Sequence, residues 1–98
     1  MKTRSGPTQE AAEMLAIQAL AFLAEEPERL GGFLAATGVS AAQIRRAARE
    51  PGFLAGVLDH MLGDENLLTD FARGASIDPA DVPGARRVLH QRSGLEPP

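Results

Sequence analysis

The sequence predicts an all-α protein, a compact bundle of five to six short helices. Three observations carry that expectation. Ala and Leu dominate the 98 residues, and neither loses much side-chain freedom in a helical turn. β-Branched residues rarely adjoin, which disfavours strands. Pro, Gly, Ser and Asp recur about one helix length apart, where helix starts and stops belong.

Residues 1–7 are polar and hold Gly6 and Pro7, so they read as a loose tail. Helix 1 is expected from Thr8 to Ala24, with Thr8 as N-cap and Glu10 in the first turn, where the helix dipole favours an anion. Met14, Leu15, Ile17, Leu20, Phe22 and Leu23 are spread around it, which predicts neighbours on several sides and a central place in the bundle. Pro27 sits at a first helical position between Glu26 and Glu28, so helix 2 starts there and stops at Gly38. Ser40 and Gln43 have capping-box spacing for helix 3, with Ile44, Ala47 and Ala48 inward and Arg45, Arg46 and Arg49 mostly outward. Pro51 ends that helix and opens helix 4, where Phe53, Leu54, Val57, Leu58, Met61 and Leu62 form a core stripe. Asp64 caps helix 5, whose apolar positions are Leu67, Leu68 and Phe71. Asp78 and Pro79 start a last helical segment, with Pro83 either inside it or at a second start, which leaves its first residue open by several positions. Residues 93–98 read as a second tail, leaving one domain over 8–92.

A shift of 38 residues partly overlays the chain on itself, as if it held two tandem three-helix units. Leu20 meets Leu58, Leu23 meets Met61, Glu26 meets Asp64, Leu30 meets Leu68 and Phe33 meets Phe71. Gly38-Val39-Ser40 falls on Ser76-Ile77-Asp78, and Ile44 falls on Val82. The overlay bears on "FLAATGVSAAQIRR", Phe33 to Arg46, which has the outline of a DNA-binding helix-turn-helix. The second copy carries Pro79, Pro83 and Gly84 where a recognition helix would lie, and Ala41 and Ala42 of the first cannot reach base edges. A packing device is the simpler reading of the turn.

Composition narrows the function. The chain has no Cys, which removes disulfides, thiolate nucleophiles and Cys-based metal sites, and fits a reducing cytoplasm. A net charge of −3 gives no global attraction to nucleic acid or anionic lipid. Lys2 and Arg4 before an apolar run outline a secretory signal, but Glu10, Glu13 and Gln18 interrupt the run. As a helix, Ala11 to Ala24 would cover only about 21 Å, short of a ~30 Å bilayer core, so no membrane span is expected.

Catalytic constellations are missing from the pattern, and neither enzyme activity nor a cofactor is expected. His60, near Asp59, Asp64 and Glu65, reads as a helix-end residue rather than a metal ligand, and His90 as a surface residue. The segments "LAIQALAFLA", "FLAATG", "PGFLAGVLDHMLGDE" and "FA" before a final "AR" resemble a family of short bacterial proteins known from alphaproteobacteria, domain of unknown function 3572. That resemblance covers about residues 12 to 89, implies a cytoplasmic bacterial protein, and brings no activity, ligand or site residues.

The expected function is therefore a non-enzymatic protein–protein interaction or adaptor role, with an unknown protein partner or self-association. Its candidate partner surface is Phe33, Leu34, Phe53 and Leu54. The alternative is a nucleic-acid surface built from Arg45, Arg46 and Arg49 with Arg86, Arg87 and Arg92, a reading that the overall acidity disfavours.

Overall fold

The computed structural model describes residues 8–94, with side chains through Gln91; the two expected tails otherwise lie outside the described residues. Among the described residues six α-helices follow one another: α1 (Gln9–Ala24), α2 (Pro27–Thr37), α3 (Ile44–Ala47), α4 (Pro51–Leu62), α5 (Glu65–Ala75) and α6 (Asp81–Gly94). A single 3₁₀ turn, Ala41–Gln43, leads into α3, and there is no strand among the described residues. The all-α bundle expected from composition is the observed fold.

Local chemistry sets most of the helix ends. The Thr8 hydroxyl accepts the Ala11 N–H at 3.0 Å and so caps α1. Pro27 and Pro51 open α2 and α4, where a missing N–H costs nothing. Asp64 Oδ1 accepts the N–H groups of Asn66 and Leu67 at 3.1 and 3.2 Å, fixing the start of α5. The Gln43 carboxamide oxygen accepts both the backbone N–H and the hydroxyl of Ser40, at 3.0 and 3.1 Å.

Two elements differ from or sharpen the sequence expectation. Helix 3 is one α turn, because its first three residues, Ala41–Gln43, take the tighter 3₁₀ form; Glu50, before Pro51, is already extended at φ −101° and ψ 128°. The last helix starts at Asp81, between the two starts that the sequence leaves open, Asp78–Pro79 and Pro83. Asp78 accepts the Ala80 N–H through its side chain at 2.9 Å and the Asp81 N–H through its carbonyl at 2.8 Å, which makes a turn ahead of the helix. Pro83 then occupies the third helical position, where its absent N–H would have had no intrahelical partner. The helix continues to Gly94, two residues beyond the expected domain end.

α1, α4 and α6 pack mutually to form the centre, and α2 and α5 brace α1 and α4 from outside. The centre is lined with small side chains, Ala12, Ala16 and Ala19 on α1, Ala55 on α4 and Ala85 on α6, all buried. Such residues let helix axes come close. Leu23, Leu54, Leu58, Met61 and Leu89 fill the space between them, and Phe33 and Phe71 close the two flanks at 0% and 1% exposure. Burial of each Phe contributes about 1.5–3 kcal/mol.

Candidate functional site: the open face of α1

α1 touches α2, α4, α5 and α6, so its central place follows the sequence reading. Its apolar residues, however, do not all find neighbours. The buried stripe is Ala12, Ala16, Ala19, Leu20 and Leu23. Met14 and Ile17, one turn apart on the other side, are 61% and 48% exposed, the large hydrophobic residues left most open among those described.

Next to them lies a groove. Gln18, Ala21, Phe22 and Glu25 of α1 face Phe71, Gly74 and Ala75 of α5 across about 310 Å³. Its floor is the Phe22–Phe71 pair, ring centroids 5.6 Å apart and tilted by 56°, and its α5 wall is low because Gly74 and Ala75 are small. Arg29 lies over the Phe22 ring at 4.0 Å, donates to the Phe22 carbonyl at 3.1 Å and pairs with Glu26 at 3.6 Å. Those three contacts hold the only basic side chain of α2 against the end of α1 and keep the Phe22 ring in place.

The candidate partner surface read from sequence is corrected at two of its four residues, Phe33 and Leu54. Phe33 and Leu54 are 0% and 2% exposed and belong to the core, while Leu34 and Phe53 are half-buried and pack against it. Phe33 is enclosed by aromatic edges, Phe53 at 5.7 Å and His60 at 5.3 Å between centroids. A helical stripe rich in Phe is best buried when it has a facing helix, and α2 and α4 supply each other with one.

Residues 9–92 match the family described as protein of unknown function (DUF3572). The chain belongs to the DUF3572 family. No curated protein and no solved structure matches it. Of the segments that carried the resemblance, Leu15 to Ala24 lies on α1 and Pro51 to Glu65 covers α4 and the cap of α5.

In this DUF3572 chain the arginines divide into two kinds. Arg45, Arg46 and Arg49 are exposed, make no ion pair among the described residues, and surround Ala42 in a shallow hollow of about 290 Å³. Arg86 does not join them: its Nε donates to Asp59 on α4, and the same carboxylate receives His90 Nε2 at 3.2 Å. Arg87 is exposed and does not line the hollow, and the Arg92 side chain lies outside the described part. His60 is turned toward Phe33, and among the described residues no group of three His, Cys, Asp or Glu side chains stands close enough to hold a metal ion. No described helix is long and apolar enough to cross a membrane.

Proposed function

We propose that this DUF3572 protein is a non-enzymatic interaction module of the bacterial cytoplasm whose contact surface is the open face of α1. One observation supports this above the rest: Met14 and Ile17 stand exposed beside a groove floored by two tilted Phe rings, in a protein whose other large apolar side chains are mostly packed. Exposed aliphatic residues contiguous with an aromatic-floored groove are what a partner's side chains can bury. The lack of cysteine agrees with a reducing compartment. Site-specific photo-crosslinking in the native cell tests the reading. A photoreactive residue at Ile17 should yield a discrete protein adduct, absent when the same residue is placed at exposed Arg87. Equal adducts at both positions, or none at either, would remove it.

An internal duplication is a related proposal. Offset by 38 residues, the bounds of α2 fall on those of α5, and the paired residues Leu20 and Leu58, Leu23 and Met61, and Phe33 and Phe71 are all buried. The third helices do not correspond: α6 is long and packs against α1 and α4, whereas α3 is a single turn at the edge. Duplication followed by divergence of the last helix accounts for both facts.

The second functional reading, nucleic-acid binding, is favoured by the three arginines around Ala42, which make no ion pair among the described residues. Against it stand the loss of Arg86 to Asp59 and an α3 too short to lie along a major groove.

A further inference from the structure

The charge pattern around the open face points to the kind of partner. The inference rests on the interaction reading above. α1 runs for 16 residues with no Lys or Arg. Its exposed side reads Glu10, Ala11, Met14, Ile17, Gln18, Ala21, Ala24 and Glu25, with Glu13 at the margin, so an apolar middle is bounded at both ends by carboxylates. Gln9 donates to Glu13 at 2.7 Å, a contact that leaves the negative charge of Glu13 in place.

Glu25 adds a second, independent sign. It is the C-cap of α1, where the helix dipole already places partial negative charge, and no basic residue stands in the last turn. The neighbouring cation, Arg29, is bound to Glu26 and the Phe22 carbonyl. Glu25 lines the groove, so its unfavourable placement is met at the point where an incoming group would sit.

The same pattern argues against other occupants. A second copy docked face to face would bring Glu10, Glu13 and Glu25 against their equivalents, and the chain as a whole carries −3. An anionic bilayer and nucleic acid would be repelled by the same carboxylates. Small residues at Ala21, Gly74 and Ala75 leave room for a backbone at close range, and a Cβ added at Gly74 would meet no atom within 4 Å. The apolar stretch from Ala11 to Ala24 is about 21 Å long, four turns of a helix.

We propose that the α1 face and the α1–α5 groove receive one amphipathic helix of a protein partner, about four turns long. Its apolar side chains rest on Met14, Ile17 and Ala21, and its Lys or Arg side chains meet Glu10 and Glu13 at one end and Glu25 at the other.

Two synthetic 18-residue helical peptides test this, identical in a Leu/Ala face and differing only in Lys or Glu flanks. They are titrated calorimetrically into the full-length protein at low and high salt. The Lys-flanked peptide should bind at least about tenfold more tightly than the Glu-flanked one, with the difference shrinking in high salt. Ile17→Arg should weaken it by about tenfold or more, and the triple variant Glu10→Gln, Glu13→Gln, Glu25→Gln by a similar factor. Glu25→Lys gives a separate readout: a higher urea midpoint for the protein alone, together with weaker Lys-peptide binding. Equal binding of both peptides through Ile17 would overturn the cationic partner and leave the interaction reading intact. Absence of binding by either peptide, or binding indifferent to Ile17→Arg, would overturn this docking mode, with the crosslinking test deciding separately whether the face is used at all. A wild-type dimer that Ile17→Arg dissociates in analytical ultracentrifugation would overturn it in favour of a second copy.

Discussion

Gly38 and Ser76 hold matching left-handed turns, φ 77° and φ 58°, one closing α2 and the other closing α5. They are the two positive-φ residues among those described. Glycine adopts that conformation freely, whereas a Cβ costs about 1 kcal/mol there. Ser76→Gly should therefore stabilise the protein by about 0.5 kcal/mol once the greater freedom of glycine in the unfolded chain is deducted. Gly38→Ala should destabilise by about 1 kcal/mol, and the loss isolates the backbone conformation because a Cβ at Gly38 would meet nothing within 4 Å. Urea denaturation of the two variants measures both, and a loss of stability in Ser76→Gly would contradict the assigned turn.

The exchange of roles between the Phe33 region and α1 gives a second prediction. Phe33→Ala removes a side chain at 0% exposure that contacts Phe53 and His60, and should cost about 3–5 kcal/mol. Phe53→Ala, at a half-buried position, should cost roughly 1–2 kcal/mol. Met14→Lys and Ile17→Lys, at 61% and 48% exposure, should leave stability within about 0.5 kcal/mol of wild type. Thermal and urea unfolding of the four variants would separate core from surface, and a large loss in Met14→Lys would count against the open face.

Asp59 joins α4 to α6 by receiving Arg86 on one oxygen and His90 on the other. Both partners and the carboxylate are nearly half exposed, at 43%, 46% and 41%, so water screens the contact. Asp59→Asn should cost no more than about 1 kcal/mol, and the cost should fall in high salt. A double-mutant cycle with Arg86→Ala reads the coupling directly. A cost of several kcal/mol would mean that α6 is held by this carboxylate rather than by Val82, Ala85 and Leu89, which are fully buried.

How far the chain could be read before its fold was known depended on whether each signal was local. Thr8, Pro27, Gly38, Pro51 and Asp64 act within a turn of themselves, and the helix ends they specify are the ones observed. Pro83 was ambiguous because proline is tolerated in a first turn and disruptive later, and the side-chain turn of Asp78 decides which applies. Met14 and Ile17 could not be told from Leu20 and Leu23 by residue type, since α1 is apolar all round. Exposure depended on how many helices the rest of the chain could supply, and α5 leaves a groove where another neighbour would have covered that side. The same non-local fact hid the Phe pairs: Phe33 and Phe53 lie on different helices, and only their packing shows that each serves the core.

The arginine hollow supports the last prediction. Arg45, Arg46 and Arg49 surround Ala42 without carboxylate partners among the described residues, an arrangement whose mutual repulsion an anion would relieve. If phosphates use this hollow, labelled duplex DNA should bind with an affinity that falls steeply as salt rises, and changing all three to Ala should flatten the slope by about three phosphate contacts. Arg86→Ala should change binding little, because that side chain is held by Asp59. The interaction reading predicts the contrary: no anisotropy change with DNA at tens of micromolar protein and physiological salt, roughly the range of non-specific binding. A salt-dependent signal that the triple variant abolishes would move the functional surface of this DUF3572 chain from α1 to α3.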